Sequence, residues 1–483
     1  AVWGGRGGLV GGGWWGGGGG GRGGVGSAGK GGGGGRSGAA GGGGRKRAGA
    51  GGAGCWGNGA RTGGDGGAGG GGTAGAGSRY DGGMKRIYFD NAATSFPKPT
   101  AVMAAMKDFA ERLGASPARG GYAEAREAGE LLHRCRERIN TLIHGESADH
   151  VVFTLNTTDA LNLAIRGLVR PGDHVVTTWL DHNSVLRPFN ELVSRHDVEQ
   201  TRVACDPVTG RVDPQDIRRA VKPHTRLIAA VHGSNVTGTL QPIGEIGAIA
   251  RELAVPLLVD AAQTLGHVPI DVQRDCVDLL AAPGHKGLLG PLGTGVLYIR
   301  PGLEKNMATT REGGTGSKSE LDVQPDFMPD RFEAGSHNAI GIIGLAEGVA
   351  WLLERGINKL WAHEQELIRT MVEGLHQWAS GELIDGVSLY GPPGVPDRCG
   401  VFSLRIAGYD RPTDLSDVLE REYGLLTRSG IHCAPLAHQT VGTHALAGTT
   451  RLSFGPFLTT QDVKYACDAL ADVANKVRET AAV

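Results

Sequence analysis

The sequence Val255-Pro256-Leu257-Leu258-Val259-Asp260-Ala261-Ala262-Gln263 contains an apolar run that ends in an acid. Its apolar residues are consecutive rather than alternating, which is typical of a strand that is covered on both faces. We therefore expect a buried strand here, with Asp260 at its carboxyl end and Gln263 just beyond it.

Similar apolar runs recur on both sides of this stretch. They span residues 150–155, 174–180, 226–232, 278–282 and 295–300, with helical spacing of apolar residues in 159–168 and 243–253. This alternation predicts an α/β domain with a mostly parallel sheet and helices on both faces. Ligands of such sheets bind at the carboxyl ends of the strands.

After Gly335 the pattern changes. We expect helices at 340–354, 357–380, 412–422 and from 460 onward, and strands at 387–390, 401–406 and 451–454. These elements indicate a smaller α+β domain. Because 400 residues exceed the usual size of one core, we expect an N-terminal arm over 84–100, a large domain over 101–338 and a small C-terminal domain over 339–483.

The first 83 residues have a different composition. They hold 45 of the 84 glycines and no apolar period, so we expect a disordered tail. Nine Lys/Arg against two Asp/Glu give the tail a charge of +7, and 40 against 48 give the rest −8. Arg-Gly-Gly triplets leave RNA binding open. Ordinary composition begins only at Met84, which favours an inert or mistranslated tail and makes a nucleic-acid partner the weaker hypothesis.

The cysteines indicate the compartment. There are seven, scattered and without a CxxC pair, which argues against a disulfide framework or a zinc site and favours a reducing cytoplasm. No run of about 18 apolar residues occurs, so no membrane span is expected, and we find no signal-peptide pattern.

Three residues indicate the chemistry. Lys286 lies in Gly284-His285-Lys286, Asp260 ends the central run, and Cys433 lies in a polar loop near the C-terminus. A partly deprotonated lysine can form a Schiff base with an aldehyde, and an acid beside a pyridine nitrogen keeps it protonated. Together they favour pyridoxal phosphate (PLP) as cofactor. Taken alone, Asp260 is better explained as a turn residue and Lys286 as a solvated loop lysine; the combination is what favours the cofactor.

Four further residues follow predicted strands. Thr157 and Thr158 open the 159–168 helix, where backbone N–H groups and hydroxyls bind phosphate, although ordinary helix capping also explains them. His182 could lie against an aromatic cofactor ring, or be a polar loop residue. Asn235 could donate to a phenolate or carboxylate oxygen.

The loop of Cys433 is rich in Gly, Ser, Pro and His, unlike the surroundings of a core cysteine. Arg428 and His432 nearby would favour the thiolate, whereas the alternative is an inert cysteine. Arg451 opens the next strand, and its planar guanidinium suits a substrate carboxylate.

Residues 84–483 resemble the cysteine desulfurase branch of the class V aminotransferases, which are fold-type I PLP enzymes. The matching stretches begin at Tyr88-Phe89-Asp90-Asn91-Ala92-Ala93-Thr94 and include Asn156-Thr157-Thr158-Asp159-Ala160, Ser234-Asn235-Val236-Thr237-Gly238, Asp260-Ala261-Ala262-Gln263, Gly284-His285-Lys286, Phe332-Glu333-Ala334-Gly335-Ser336 and Arg428-Ser429-Gly430-Ile431-His432-Cys433-Ala434.

The resemblance implies a role for each candidate. Phosphate would be held by Thr157, Thr158 and His285, and by Ser336 from a neighbouring subunit, which implies a homodimer. The ring would be held by His182, Asp260 and Gln263, and the substrate carboxylate by Asn235 and Arg451. Independently of the resemblance, we expect Arg428 as a further substrate contact. One departure is Pro283, which stands where the family commonly has a phosphate-binding Ser and which offers neither hydroxyl nor N–H.

The sequence therefore predicts a PLP-dependent cysteine desulfurase. Such an enzyme converts L-cysteine to L-alanine, with Lys286 as base and Cys433 taking the sulfur as a persulfide for an acceptor thiol or protein. Selenocysteine lyase, or another class V reaction on a small amino acid, remains an alternative because one fold hosts many reactions. A non-enzymatic PLP-containing scaffold with an RNA-binding tail is a second alternative.

Overall fold

A computed structural model gives the fold for residues 85–117, 120–376 and 381–481. The predictions made for the glycine-rich tail lie outside these residues. The strands are β1 (Ile87–Tyr88), β2 (Val151–Thr154), β3 (His174–Thr178), β4 (Glu199–Val203), β5 (Thr225–Val231), β6 (Leu257–Asp260), β7 (Leu279–Pro283), β8 (Gly295–Ile299), β9 (Val387–Tyr390), β10 (Val401–Ile406), β11 (Leu425–Leu426), β12 (Arg428–Gly430) and β13 (Thr449–Ser453).

Eleven α-helices accompany these strands within the same ranges. They are α1 (Thr100–Asp108), α2 (Ala123–Leu142), α3 (Thr157–Leu168), α4 (Asn183–Arg195), α5 (Pro214–Ala220), α6 (Ile243–Glu252), α7 (Ala339–Arg355), α8 (Ile357–Leu375), α9 (Pro412–Tyr423), α10 (Pro435–Thr440) and α11 (Thr460–Ala481). Among them, none combines the length and the hydrophobicity that crossing a membrane requires.

The central sheet has seven strands in the order β2-β8-β7-β6-β5-β3-β4. Only β8 runs against the others, because it pairs antiparallel with both β2 and β7 while the remaining neighbours are parallel. This sheet confirms the predicted α/β class. Six strands therefore present their carboxyl ends along one edge.

Helices cover the central sheet on both faces, as the consecutive apolar strands require. The residues of α3 and α4 form a core on one face with alternate strand residues such as Leu258. The residues of α2, α6 and α7 form the core on the other face with Leu257 and Val259. All four residues of β6 are buried.

A second sheet lies in the C-terminal part, with antiparallel strands in the order β12-β13-β10-β9. It packs with α8, α9 and α11 around its own core. The N-terminal strand β1 pairs in parallel with β11. The domain boundaries that we expect at residues 100/101 and 338/339 stay predictions.

Candidate active site

The carboxyl ends of β2, β3, β5, β6 and β7 converge on one cavity, which we call the lysine pocket. It has an empty volume of about 520 Å³. It is lined by Asn156, Thr157, Thr158, His182, Ser184, Val231, Gly233, Asn235, Asp260, Ala262, Gln263, Pro283, His285 and Lys286. The structure thus brings together eight of the predicted site residues, from segments spread over 130 positions of the chain.

Lys286 follows β7 through a turn that requires glycine. A Cβ at Gly284 would lie 2.0 Å from Thr294 Oγ1, so no other residue fits there without a shift. Burial lowers the pKa of Lys286 to about 8, with Asp260 opposing the shift and Arg451 reinforcing it. The amine is therefore much closer to deprotonation at neutral pH than a solvated lysine.

Asp260 ends β6 and is 3% exposed. Its Oδ1 accepts a hydrogen bond from the Ala262 N–H at 3.0 Å. Burial raises the pKa of Asp260 to about 6, while that hydrogen bond and Lys286 lower it. The carboxyl is still mostly ionised at pH 7, so it places a negative charge in the lysine pocket.

A second buried acid, Asp181, lies at the end of β3 and was not identified from the sequence. Its Oδ2 accepts from the Thr178 N–H at 2.6 Å, and its Oδ1 accepts from the Val231 N–H at 2.9 Å. Burial raises the pKa of Asp181 to about 7. Asp181 ties the end of β3 to β5 and so fixes the position of His182, the next residue. Its place directly after a predicted strand was the only sequence signal.

The N-terminus of α3 forms one wall of the pocket. The helix begins at Thr157, and its N-cap Asn156 accepts from the Asp159 N–H at 3.0 Å. Thr158 Oγ1 lies 2.7 Å from the hydroxyl of Ser184, a residue that sequence reasoning missed. Hydroxyls and free N–H groups at a helix N-terminus make an anion site.

His182 is held by Ser184 at the start of α4. Its Nδ1 accepts from the Ser184 N–H at 3.1 Å and lies 3.0 Å from Ser184 Oγ. Burial, with Lys286 as the next cause, lowers the pKa of His182 to about 4. The imidazole is therefore neutral at pH 7.

His285, beside the lysine, has a buried Nδ1 without a hydrogen-bond partner among the described residues. Burial also lowers the pKa of His285 to about 4. An unpartnered buried nitrogen, a buried acid, a lysine of low pKa and a hydroxyl-lined helix N-terminus are the donor set that PLP needs for its phosphate, ring nitrogen and aldehyde. The residues present fit that cofactor.

Three side chains that we expect to contact the ligand form hydrogen bonds within the chain itself. Gln263 Nε2 donates to the Ala92 carbonyl at 3.1 Å, and Asn235 Nδ2 donates to the His432 carbonyl at 2.7 Å. Arg451 is 2% exposed. Their expected roles toward cofactor and substrate stay predictions.

Arg451 is held at both ends of its guanidinium. Its Nη1 donates to the Asn235 carbonyl at 3.1 Å, and its Nη2 donates to Asp90 Oδ1 at 2.8 Å. Its buried Nε has no partner in the part of the chain that the structure describes. Asp90 was quoted only as part of a family motif, and its contact with Arg451 spans 361 positions, which no local pattern reveals.

Cys433 lies in an open groove, which we call the cysteine groove. The groove is lined by Thr158, Asn162, Arg166, His182, Asn183, Ser184, Arg187, Pro188, Glu191 and Cys433. It shares Thr158, His182 and Ser184 with the lysine pocket, so the two cavities adjoin. Of the six cysteines in the described residues, only Cys433 is exposed.

The prediction that His432 favours the Cys433 thiolate through positive charge is wrong. His432 is 6% exposed. Burial, with Arg451 as the next cause, holds the pKa of His432 well below 6.5. A neutral imidazole carries no positive charge to stabilise the Cys433 thiolate. Arg428, whose expected contact with substrate stays a prediction, is exposed on β12 and pairs in register with Arg451.

Ser336 lies outside the lysine pocket of its own chain. It is exposed and borders two neighbouring cavities together with His337. Its expected reach to the phosphate of a second subunit stays a prediction.

The segment that carries Ser336 is anchored by Glu333, whose side chain is 3% exposed. Both oxygens of Glu333 accept from the guanidinium of Arg136 at 2.6 Å, and one also accepts from the Phe153 N–H. His337 Nε2 lies 3.0 Å from the same carboxylate. Arg136 and Glu333 are the residues that sequence reasoning missed here.

Comparisons with known proteins identify the family of this chain. Residues 87–466 match the family described as aminotransferase class-V. A probable cysteine desulfurase of Methanothermobacter thermautotrophicus is 36% identical over 394 residues, which cover 80% of this chain and 94% of that protein.

Two solved structures have a similar fold. A cysteine desulfurase from Thermococcus onnurineus has a TM-score of 0.73 at 31% identity, covering 81% of this chain and 95% of that one. The cysteine desulfurase CsdA from Escherichia coli, solved in its S-sulfonic acid form, has a TM-score of 0.70 at 27% identity, covering 81% and 94%. The resemblance inferred from the sequence motifs is confirmed, and this chain belongs to the class-V aminotransferase family.

Proposed function

We propose that this chain is a PLP-dependent cysteine desulfurase, which converts L-cysteine to L-alanine and keeps the sulfur as a persulfide on Cys433. The observation that carries the proposal is the junction of the two cavities. A pocket with Lys286 and Asp260 opens directly beside the one exposed cysteine of the described residues. The relatives named as cysteine desulfurases support it.

The phosphate of PLP would be held at the N-terminus of α3. Thr157 and Thr158 offer backbone N–H groups and hydroxyls there, and the unpartnered Nδ1 of His285 is available as a further donor in its protonated tautomer. Ser184 Oγ, 2.7 Å from Thr158 Oγ1, adds a hydroxyl where Pro283 has none. When bound, PLP supplies an electron sink for the pair released at the substrate's Cα.

Two residues control the charge and the proton transfer around the bound cofactor. Asp260 stays mostly ionised at pH 7 because its pKa is about 6, so it favours a protonated ring nitrogen. Lys286 takes the Cα proton at Nζ, and a pKa of about 8 leaves roughly a tenth of such amines neutral at pH 7. His182, as a neutral imidazole, contributes a flat face without repelling Lys286.

Cys433 performs the sulfur step. Its thiolate forms an S–S bond with the substrate sulfur as the C–S bond breaks. The bonding pair stays with the substrate carbon, which takes up a proton and leaves as alanine. Exposure of Cys433 in the cysteine groove then lets a second thiol reach the persulfide.

The test replaces Cys433 by Ser in the PLP-loaded protein. The visible spectrum should remain, because Lys286 and Asp260 are intact, while alanine formation from L-cysteine should fall roughly a hundredfold or more, since the attacking nucleophile is lost. Cys276→Ser is the matched control, because Cys276 is partly exposed but lines neither cavity. Alanine formed by Cys433→Ser at the rate of the control would contradict the proposal and favour a selenocysteine lyase.

We also propose that the protein is a cytoplasmic homodimer. The exposed position of Ser336, outside its own lysine pocket, supports a contact with the phosphate of a second copy. A reducing compartment would keep Cys433 a free thiol. Light scattering of the purified protein tests the dimer, and a monomeric mass with full activity would contradict it.

A further inference from the structure

The cysteine groove is bounded by one face of α3 and one face of α4. The facing side chains repeat every fourth residue, which places them on one stripe of each helix: Thr158, Asn162 and Arg166 on α3, and Asn183, Arg187 and Glu191 on α4. The hydrogen bond between Thr158 and Ser184 joins the N-terminal ends of the two helices. Cys433 is fixed at the same end, because its carbonyl accepts from the Asn183 N–H at 2.9 Å.

The groove is positively charged. Arg166 and Arg187 are exposed, and neither forms an ion pair within the described residues; the only side-chain bond of Arg166 there is from Nε to Asn162 at 3.2 Å. The one acid of the groove, Glu191, is paired with Arg195 at 3.2 Å. A positive groove on a body of net charge −8 concentrates anions at that place.

We propose that the sulfur acceptor is a low-molecular-weight thiol that carries carboxylates, bound in this groove by Arg187 and Arg166. This inference rests on the proposed desulfurase function. Arg187 lies one helical turn, about 6 Å, beyond Asn183, and Arg166 lies about 12 Å beyond Thr158. A thiol at Cys433 can therefore hold one carboxylate at Arg187 and a second at Arg166. The groove volume of about 500 Å³ is in the range of small-molecule sites.

The transfer step needs no further reactant. The acceptor thiolate attacks the outer sulfur of the persulfide on Cys433, forming a new S–S bond. The bond between that sulfur and Cys433 Sγ breaks, and its electron pair returns to Cys433 as thiolate. The acceptor leaves as a persulfide, without net oxidation or reduction.

The experiment compares mercaptosuccinate, 2-mercaptoethanol and cysteamine as anionic, neutral and cationic acceptors of the PLP-loaded enzyme. The ratio of kcat/KM for mercaptosuccinate to that for 2-mercaptoethanol should fall about threefold in Arg187→Gln and about tenfold in Arg187→Glu, because exposed charges interact weakly in water. The ratio for cysteamine should rise in Arg187→Glu. Arg251→Glu, which makes the same charge change as Arg187→Glu but on α6 at the opposite face of the sheet, should leave the ratios unchanged.

A second measurement separates this inference from the proposed function. Cys433 is modified with sulfonatoethyl and with trimethylammonioethyl methanethiosulfonate, and the Cys433→Ser protein gives the background of the other cysteines. Arg187→Glu should lower the anionic-to-cationic rate ratio about tenfold, and 1 M salt should suppress the change, because screening then acts within about 3 Å. This reaction does not require desulfuration. Ratios that are the same in Arg187→Glu and Arg251→Glu would overturn the inference and favour a protein acceptor. An absence of alanine formation in the parent would instead overturn the proposed function.

Discussion

The buried contact between Arg136 and Glu333 yields a quantitative prediction for Glu333→Gln. Burial pushes the pKa of Glu333 up, but Arg136 and His337 outweigh it and hold the pKa at about 2 instead of 4.5. That difference corresponds to about 3 kcal/mol of folding stability at neutral pH. The amide keeps the shape but leaves Arg136 buried without its countercharge, so the free energy of unfolding should fall by about that amount or somewhat more.

Urea unfolding of parent and variant, followed by circular dichroism, measures the loss. Glu252→Gln is the matched control, because Glu252 makes the same two-oxygen contact with Arg218 at 2.7 and 2.6 Å but on the surface. Its effect should be small, since water screens the exposed pair. A loss in Glu333→Gln no larger than in the control would refute the reasoning.

The stability that Glu333 contributes depends on pH with a defined sign. The pKa of Glu333 is lower in the folded protein than in the unfolded chain, so its contribution is present above pH 4.5 and is lost as the pH falls toward about 2. The stability difference between parent and Glu333→Gln should therefore shrink through that window. A difference that stays constant down to pH 2.5 would show that the charge of Glu333 is not its origin.

Two further predictions concern the lysine and the tail. Borohydride treatment of the PLP-loaded protein should attach the cofactor to the peptide of Lys286, because its low pKa makes it the reactive amine of the pocket; a different labelled lysine in peptide mapping would contradict the assignment. A shortened protein that begins at Met84 should match the full chain in melting temperature and alanine formation, because residues 1–83 have a composition that cannot form a core. A large loss of either property would show that the tail has a role.

The elements that could be predicted from the sequence are those in which the pattern of apolar residues has a single physical cause. Consecutive apolar residues in β5, β6, β7 and β8 indicated strands covered on both faces, and the structure confirms them. The edge strand β4 was missed because its residues are mostly polar and partly exposed. The reversed direction of β8 was not foreseen, since apolar spacing carries no information on strand direction.

The lysine pocket was predictable because its residues follow strands whose ends share one edge of the sheet. That rule placed Thr158, His182, Asp260 and Lys286 together before any distance was known. It did not identify Ser184, which lies within a helix and acts through side chains brought near by the packing of α3 on α4. Contacts between residues that lie hundreds of positions apart depend on tertiary packing, and the patterns of a single sequence carry no information on that packing.

The backbone conformation of the Cys433 loop could not be predicted from the sequence. His432 and Cys433 both have left-handed backbone angles, with φ of 51° and 59°. Such angles cost about 1–3 kcal/mol per residue unless surrounding contacts enforce them. Here the His432 carbonyl accepts from Asn235, and the Cys433 carbonyl accepts from Asn183.

These contacts join the cysteine loop to the lysine pocket. Asn235 lines the pocket, donates to the loop at His432, and accepts from Arg451 through its own carbonyl. Any ligand group that draws the Asn235 amide toward itself therefore competes with the contact that holds the loop of Cys433. The Asn235 side chain therefore links the lysine pocket to the loop that carries Cys433, while the Asn183 N–H holds the same loop at the Cys433 carbonyl.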